Sequence, residues 1–217
     1  MGSAPTTIPS VRSLPAPGSD PGGIAATRGL LWCADRSDRR VRAIRPRFGQ
    51  VEADVACERL CGDLTFRDGR LLVVGDERER LLDVDPSSGA VVDAIPLGDN
   101  GRRLVALDSG PAGLWVALRD PGVAQLWHHE TLDVLHEVPL PGVPSGLARV
   151  NSLLVCAEAG TGLVRALDAA DGRVLGTARV DGSPVGMAWD TYSLWYTSGD
   201  HVKAVRLDDV LHGARGT

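Results

Sequence analysis

The chain has 217 residues, 43% hydrophobic and 24% charged, a composition ordinary for a globular protein and long enough for one substantial core. A net charge of −5 argues against a nucleic-acid partner, which calls for a basic face. No apolar run approaches the roughly 18 residues of a membrane span, and none of the residues from Met1 to Gly18 forms the apolar core of a secretory signal.

The expected location is therefore the cytoplasm, with no membrane contact. Cys33, Cys57, Cys61 and Cys156 are then expected as thiols, and their spacing matches no zinc pattern. In an exported chain, a Cys57–Cys61 link would be sterically conceivable. Lys203 is the single lysine against 22 arginines, an imbalance that fits a GC-rich genome better than a binding surface.

Residues 1–10 are rich in Pro, Ser and Thr and read as a flexible segment. From residue 11 the chain repeats itself five times. Trp32, Leu72, Trp115, Val155 and Trp195 share one position, at spacings of 40, 43, 40 and 40. Eight residues before each stands Ile24, Leu64, Leu107, Leu147 or Met187. Twelve after the first four stands Ile44, Val84, Trp127 or Leu167. Each repeat carries four short strand candidates, A to D: a GLA-like piece, an LLW-like piece, a VRAI-like piece and a VVDAIPL-like piece. RPRFG, DPSSG and DAADG supply the Pro, Asp, Ser and Gly of a tight turn between C and D. Four strands per ~40 residues, repeated, predicts a β-propeller.

The fifth repeat lacks a strand D, and the N-terminus offers one. Val11 precedes Ile24 by 13 residues, as Val51 precedes Leu64, Val134 precedes Leu147 and Val174 precedes Met187. The prediction is an all-β, five-bladed propeller over residues 11–207, closed by its N-terminal strand in the last blade, with 208–217 as a tail. Between Val91 and Leu107 the spacing is 16, so three extra residues near Asp99–Asn100–Gly101 enter the loop before blade 3.

The pattern Pro-x-Gly-hydrophobic-Ala followed by Leu-Trp, as in Pro21–Ala25 with Leu31–Trp32, resembles the NHL and YVTN repeats and the virginiamycin-B-lyase-type propellers. The resemblance implies architecture over residues 11–207. It does not select an activity, because such families include lyases, lactonases, cyclases and scaffolds. The lyase-type proteins use a histidine and carboxylates around a metal, and no such set aligns here. The resemblance also implies that strand A lines a central channel. Ligands then sit over the mouth formed by the D-to-A and B-to-C loops.

On that face, departures from the repeat mark a candidate site. Where blades 1, 4 and 5 have Gly23, Gly146 and Gly186, blades 2 and 3 have Asp63 and Ala106. Where the others have Ala25, Ala148 and Ala188, these have Thr65 and Asp108. Cys61 replaces the proline of Pro21, Pro144 and Pro184. Asp63, Asp108 and Cys61 are the candidate catalytic residues, with Arg102 and Arg103 of the insertion as substrate-binding partners. Two readings stand for the aspartates: functional acids, or channel carboxylates held by main-chain N–H groups. Cys61 reads equally as a small hydrophobe.

The B-to-C loops add Asp35, Asp38, Asp76, Glu77, Asp120, Glu158 and Asp200, with His201 in the last. Carboxylates with one histidine suit Ca²⁺, Mg²⁺ or general acid–base chemistry, and otherwise form a solvated rim. Asp35, Glu158 and His201 join the substrate-binding candidates. So does Trp189, which is off the repeat pattern. Trp32, Trp115 and Trp195, like Cys33 and Cys156, share repeat positions and read as packing residues. His128, His129 and Glu130 fall in a C-to-D turn on the opposite face. The functional expectation is a small-molecule enzyme of the lyase, hydrolase or isomerase type. The alternative is a non-catalytic binding or interaction scaffold.

Overall fold

The computed structural model describes residues 4–213. Strand β1 (Arg12–Pro15) comes first in the chain but belongs to the last blade. Blade 1 is β2 (Pro21–Thr27), β3 (Leu30–Asp35), β4 (Arg40–Ile44) and β5 (Val51–Ala56). Blade 2 is β6 (Leu60–Arg67), β7 (Arg70–Gly75), β8 (Arg80–Val84) and β9 (Val91–Pro96). Blade 3 is β10 (Leu104–Gly110), β11 (Gly113–Leu118), β12 (Val123–Trp127) and β13 (Val134–Pro139). Blade 4 is β14 (Pro144–Val150), β15 (Leu153–Glu158), β16 (Leu163–Asp168) and β17 (Val174–Arg179). Blade 5 is β18 (Gly186–Trp189), β19 (Leu194–Ser198) and β20 (His201–Val205), completed by β1 in the order β1-β20-β19-β18.

Each sheet is a four-stranded antiparallel meander, and the inner strands β2, β6, β10, β14 and β18 neighbour one another around the axis, with β18 returning to β2. Closure joins the two segments expected from the 13-residue rule, in a register one residue away from that of the other blades. Arg12 pairs with Ala204, Ser13 with Lys203, Leu14 with Val202 and Pro15 with His201. Among the described residues no helix is long and apolar enough to cross a membrane.

The core lies between blades. Five apolar clusters fill the five seams, each drawing side chains from two neighbouring sheets. Period-2 alternation produces this: in β4, Val41 and Ala43 enter the seam with blade 2, and Ile44, on the other face, enters the seam with blade 5. Trp32, Trp115 and Trp195 are buried at 6%, 4% and 3% exposure, as packing residues should be. The indole N–H of Trp195 donates to Asp190 Oδ2 at 2.7 Å, and that of Trp32 donates to Thr27 Oγ1 at 3.2 Å. The four cysteines are free thiols, and burial pushes those of Cys33 and Cys156 up to about 12. They are inert packing groups.

Parts of both segments that the sequence sets apart from the domain pack on blade 4. The Ile8 N–H donates to the Arg179 carbonyl at 2.8 Å, and the Arg179 N–H to the Thr6 carbonyl at 2.8 Å. Thr7 thus bridges the outer strand β17 in parallel, and the Ile8 side chain is wholly buried among Val164, Ala178 and Val210. Val210 belongs to a short helix α2 (Leu207–His212), whose main chain lies against Gly176 of β17. Residues 1–3 and 214–217 of those segments lie outside the described residues.

Ile8→Ala is expected to lower unfolding free energy by about 2–5 kcal/mol, through lost burial and the cavity left under the strap. Val11, at 46% exposure, is the matched control, and Val11→Ala should change stability by about 0.5 kcal/mol or less. Urea denaturation of both variants checks this.

Candidate functional site

The inner strand of each blade is the edge of its sheet, so its outward N–H and C=O groups lack ladder partners. Polar side chains fill that deficit across the seams. Asp63 Oδ2 accepts the Leu107 N–H at 3.0 Å, joining blade 2 to blade 3. Thr65 Oγ1 accepts the Ser109 N–H at 3.0 Å in the same seam. Asp108 Oδ2 accepts the Arg149 N–H at 2.7 Å, joining blade 3 to blade 4, while its Oδ1 accepts from Thr65 Oγ1 at 3.3 Å. Ser145 Oγ donates to the Pro184 carbonyl at 2.8 Å, and Thr197 Oγ1 to the Gly22 carbonyl at 2.6 Å.

Asp63 and Asp108 therefore do the same work from adjacent blades, one on each side of the strand-A hydrophobe, but differ in what they have left over. Both oxygens of Asp108 are hydrogen-bonded. Asp63 is 4% exposed, and its Oδ1 has no hydrogen-bond partner. That oxygen lies against Gly23 of blade 1, where an added Cβ would stand 1.9 Å away. The glycine there exists for this close approach.

Burial raises the Asp63 carboxyl to about 8, helped by the charge of Asp108 and opposed by nearby N–H groups of Leu107, Leu64 and Ile24. Only the Leu107 contact has normal hydrogen-bond geometry. Asp108 is less deeply covered. Burial raises it to about 6, against the Arg149 N–H, the Thr65 hydroxyl and the Arg149 charge.

Asp63 lies at the base of a cavity of about 200 Å³ at the channel mouth, on the D-to-A and B-to-C face. Gly22, Gly23 and Gly62 keep the floor open. Three arginines stand over blades 1 to 3: Arg36, Arg78 and Arg119. Over blades 4 and 5 the wall is Val143, Pro144, Ser145, Ala159 and Val185.

The arginines are held in different ways. Arg36 forms an ion pair with Asp20, at 2.6 Å from Nη2 to Oδ1. The Arg78 guanidinium donates to the Leu104 carbonyl, and that of Arg119 to the Arg102 carbonyl at 3.5 Å. Neither of those acceptors carries a charge.

The remaining candidates surround or support this mouth without lining it. Cys61 Sγ accepts the Arg78 N–H at 3.2 Å and donates to the Val74 carbonyl at 3.5 Å, which pins the Arg78 loop. That loop carries Glu77 and Arg78 at φ 54° and 72°, two left-handed residues in succession. The insertion before blade 3 forms a short helix α1 (Asn100–Arg103). Gly101 of α1 packs on the Arg78 carbonyl, where a Cβ would come within 1.8 Å. Arg103 Nε donates to the Arg119 carbonyl at 3.0 Å. Arg102 is exposed and lines a separate rim cleft with Asp99 and Arg80. Instead of reaching the carboxylates, Arg102 and Arg103 both brace Arg119.

Asp35 binds the D-to-A loop of its own blade. Its Oδ1 accepts from the Ser37 N–H at 2.9 Å and its Oδ2 from the Ser19 N–H at 2.6 Å. Burial alone would push its carboxyl up, but these bonds and the Ser37 hydroxyl hold it below the usual range. Glu158 is paired with Arg165, and His201 Nδ1 with Asp200 Oδ1 at 2.5 Å on the outer rim. The side chain of Asp76 lies outside the described residues.

Trp189 does line a cavity, of about 460 Å³, but on the opposite face, with Arg28, Asp190 and the 84%-exposed Tyr192. His129, also on that face, ties turns together through the Gly110 carbonyl at 2.9 Å.

Arg36, Arg78 and Arg119 were not singled out by sequence. A partial signal exists: Arg36 and Arg119 each stand four residues after the repeat tryptophan, at Trp32 and Trp115.

Among the described residues, no group of three or more His, Cys, Asp or Glu could hold a metal ion. The mouth itself does not fit Ca²⁺ or Mg²⁺, because its lining holds one carboxyl side chain, Asp63, and three guanidinium groups.

No protein-family model matches the sequence, and comparison with curated proteins finds no match. Solved structures do match. A glutaminyl cyclase from Myxococcus xanthus superposes with TM-score 0.76 at 13% identity, over 94% of this chain and 98% of that one. A chain of a mitotic checkpoint complex superposes with TM-score 0.53 at 13% identity, over 85% of this chain and 63% of that one. At these identities the likeness establishes the five-bladed propeller fold.

The raised aspartates set a pH dependence of stability. The folded protein holds both protons more firmly than the unfolded chain, whose aspartates titrate near 3.8. The stabilisation is complete below about pH 4 and is lost as pH rises through 6 for Asp108 and 8 for Asp63, by on the order of a few kcal/mol. Urea unfolding from pH 4 to 9 should show the decline. Asp63→Asn should flatten its upper part and Asp108→Asn its lower part.

Proposed function

We propose that the channel mouth binds a small molecule and that the protein is an enzyme of the lyase, hydrolase or isomerase type, with Asp63 giving or taking the proton. One observation carries this reading: a residue lining the cavity has a buried carboxyl, raised to about 8, with one oxygen left without a hydrogen bond. A carboxyl in that state is protonated at neutral pH, so it acts first as an acid or hydrogen-bond donor. With its proton delivered, it becomes a base matched to the working pH. Asp108, bonded on both oxygens, raises Asp63 through its charge and fixes the seam beside it.

The fold supports an enzymatic reading to a limited degree. A glutaminyl cyclase shares it over nearly the whole chain, so five blades of this size can carry catalysis. At 13% identity its substrate does not transfer. A non-catalytic binding module uses the same mouth without turnover.

The test is a thermal-shift screen of small metabolites, followed by turnover assays of each hit with wild type and Asp63→Asn. Asparagine keeps the Leu107 N–H acceptor, so the fold and ligand affinity should hold within a few-fold. Turnover should fall about 10²–10⁴-fold. Hits that bind wild type but remain unchanged chemically favour the binding module. Turnover undiminished in Asp63→Asn places the chemistry on other residues.

A further inference from the structure

We infer that the ligand of the mouth is a small amphipathic organic anion, with its carboxylate or phosphate on Arg78 and Arg119 and its apolar body against blades 4 and 5. The inference rests on the reading of the mouth as the ligand site. The cavity differs in chemistry from side to side. Over blades 1 to 3 stand three guanidinium groups with Val105, and over blades 4 and 5 stand Val143, Pro144, Ala159 and Val185 with the single hydroxyl of Ser145, which is spent on the Pro184 carbonyl.

Arg78 is half-buried and Arg119 exposed, and neither has an acid partner among the described residues. Each donates to a main-chain carbonyl, which orients the side chain and leaves its charge available. Arg36, by contrast, is paired with Asp20. Arg78 is further held by Cys61 through its N–H, and its loop rests on Gly101. A planar guanidinium suits the oxygens of a carboxylate or phosphate in paired hydrogen bonds.

The buried Asp63 beneath them does not oppose an anion, since its carboxyl is neutral at pH 7 and offers an O–H. A ligand with charge at one end only leaves no unpaired charge against the valine wall. Val143 is 54% exposed, an apolar side chain that such a ligand would cover. The cavity of about 200 Å³ limits the ligand to roughly amino-acid size.

Four probes test this by isothermal titration at pH 7: phenylacetate, phenyl phosphate, benzyl alcohol and acetate. Phenylacetate or phenyl phosphate should bind at least tenfold more tightly than benzyl alcohol or acetate, and the tighter of the two identifies the acid group preferred. Binding should weaken as salt rises. Arg119→Ala should cost the aromatic anions at least tenfold and leave benzyl alcohol unchanged.

Ala159→Trp, at an exposed position of the apolar wall, should block every probe. Binding that survives Ala159→Trp shows that the mouth is not the site, and the underlying reading fails. Binding that Ala159→Trp abolishes, but that is equal for benzyl alcohol and phenylacetate or indifferent to Arg119→Ala, overturns the ligand class alone. No detectable binding of any probe at 10 mM, roughly the weakest affinity at which specific recognition of such small molecules is meaningful, overturns the inference outright.

Discussion

Everything in this molecule depends on five sheet edges meeting at one axis. The inner strands must lie close, and each brings a row of main-chain groups that its own sheet leaves without partners. Small residues permit the approach. Short polar side chains then complete the hydrogen bonding from blade to blade: Asp63, Thr65, Asp108, Ser145 and Thr197. Aspartate is a costly choice for that task, because a carboxylate loses its hydration when buried. The pKa values raised at Asp63 and Asp108 record that cost. Most of these side chains are spent on the seams. Asp63 keeps one oxygen without a hydrogen bond, in a residue that lines a cavity.

Charge is distributed to match. The chain is acidic overall, and much of its rim is paired: Arg40 with Asp54, Lys203 with Asp181, Arg165 with Glu158. The exposed pairs among these, such as Arg40 with Asp54, add little stability. At the mouth Arg36 keeps an acid partner, while Arg78 and Arg119 have main-chain carbonyl acceptors in its place. These are the cations that the proposed anion would meet, and the whole-chain charge does not predict them.

The architecture was legible because propeller packing repeats itself. The position shared by Trp32, Trp115 and Trp195 recurs since each blade must fill the same seam, and the Val11 spacing locates the closing strand because β1 replaces a missing strand D. Asp63 and Asp108 were visible as breaks in that regularity. Their partners were not, since Leu107 and Arg149 contribute main-chain N–H groups, which any sequence supplies. Arg78 was hidden for another reason. It reaches the mouth through two consecutive left-handed residues, Glu77 and Arg78, in a loop braced by Cys61 and by an insertion some twenty residues on. Arg102 and Arg103 drew notice as charges, whereas their structural contribution is a carbonyl and a brace.

The pairing of β1 with β20 also shapes how the molecule folds. Blades 1 to 4 are meanders of neighbouring strands, so each can assemble from a local stretch of chain. Blade 5 cannot, because Arg12 must find Ala204 across almost the entire sequence. Loop-closure entropy grows only logarithmically, at about 0.6 kcal/mol per doubling of length, so this long-range pairing adds little to the equilibrium cost. Its weight falls on time. The closing contact is the most non-local in the sheet system and is favoured to form last. Until it forms, β20 presents an unpaired edge to solvent and to other chains. The strap of Thr6 to Ile8 on β17 gives the N-terminus a second anchor beside that edge. Once either anchor seats, the other becomes a short search, and the ring can shut before a foreign strand takes the place of β1.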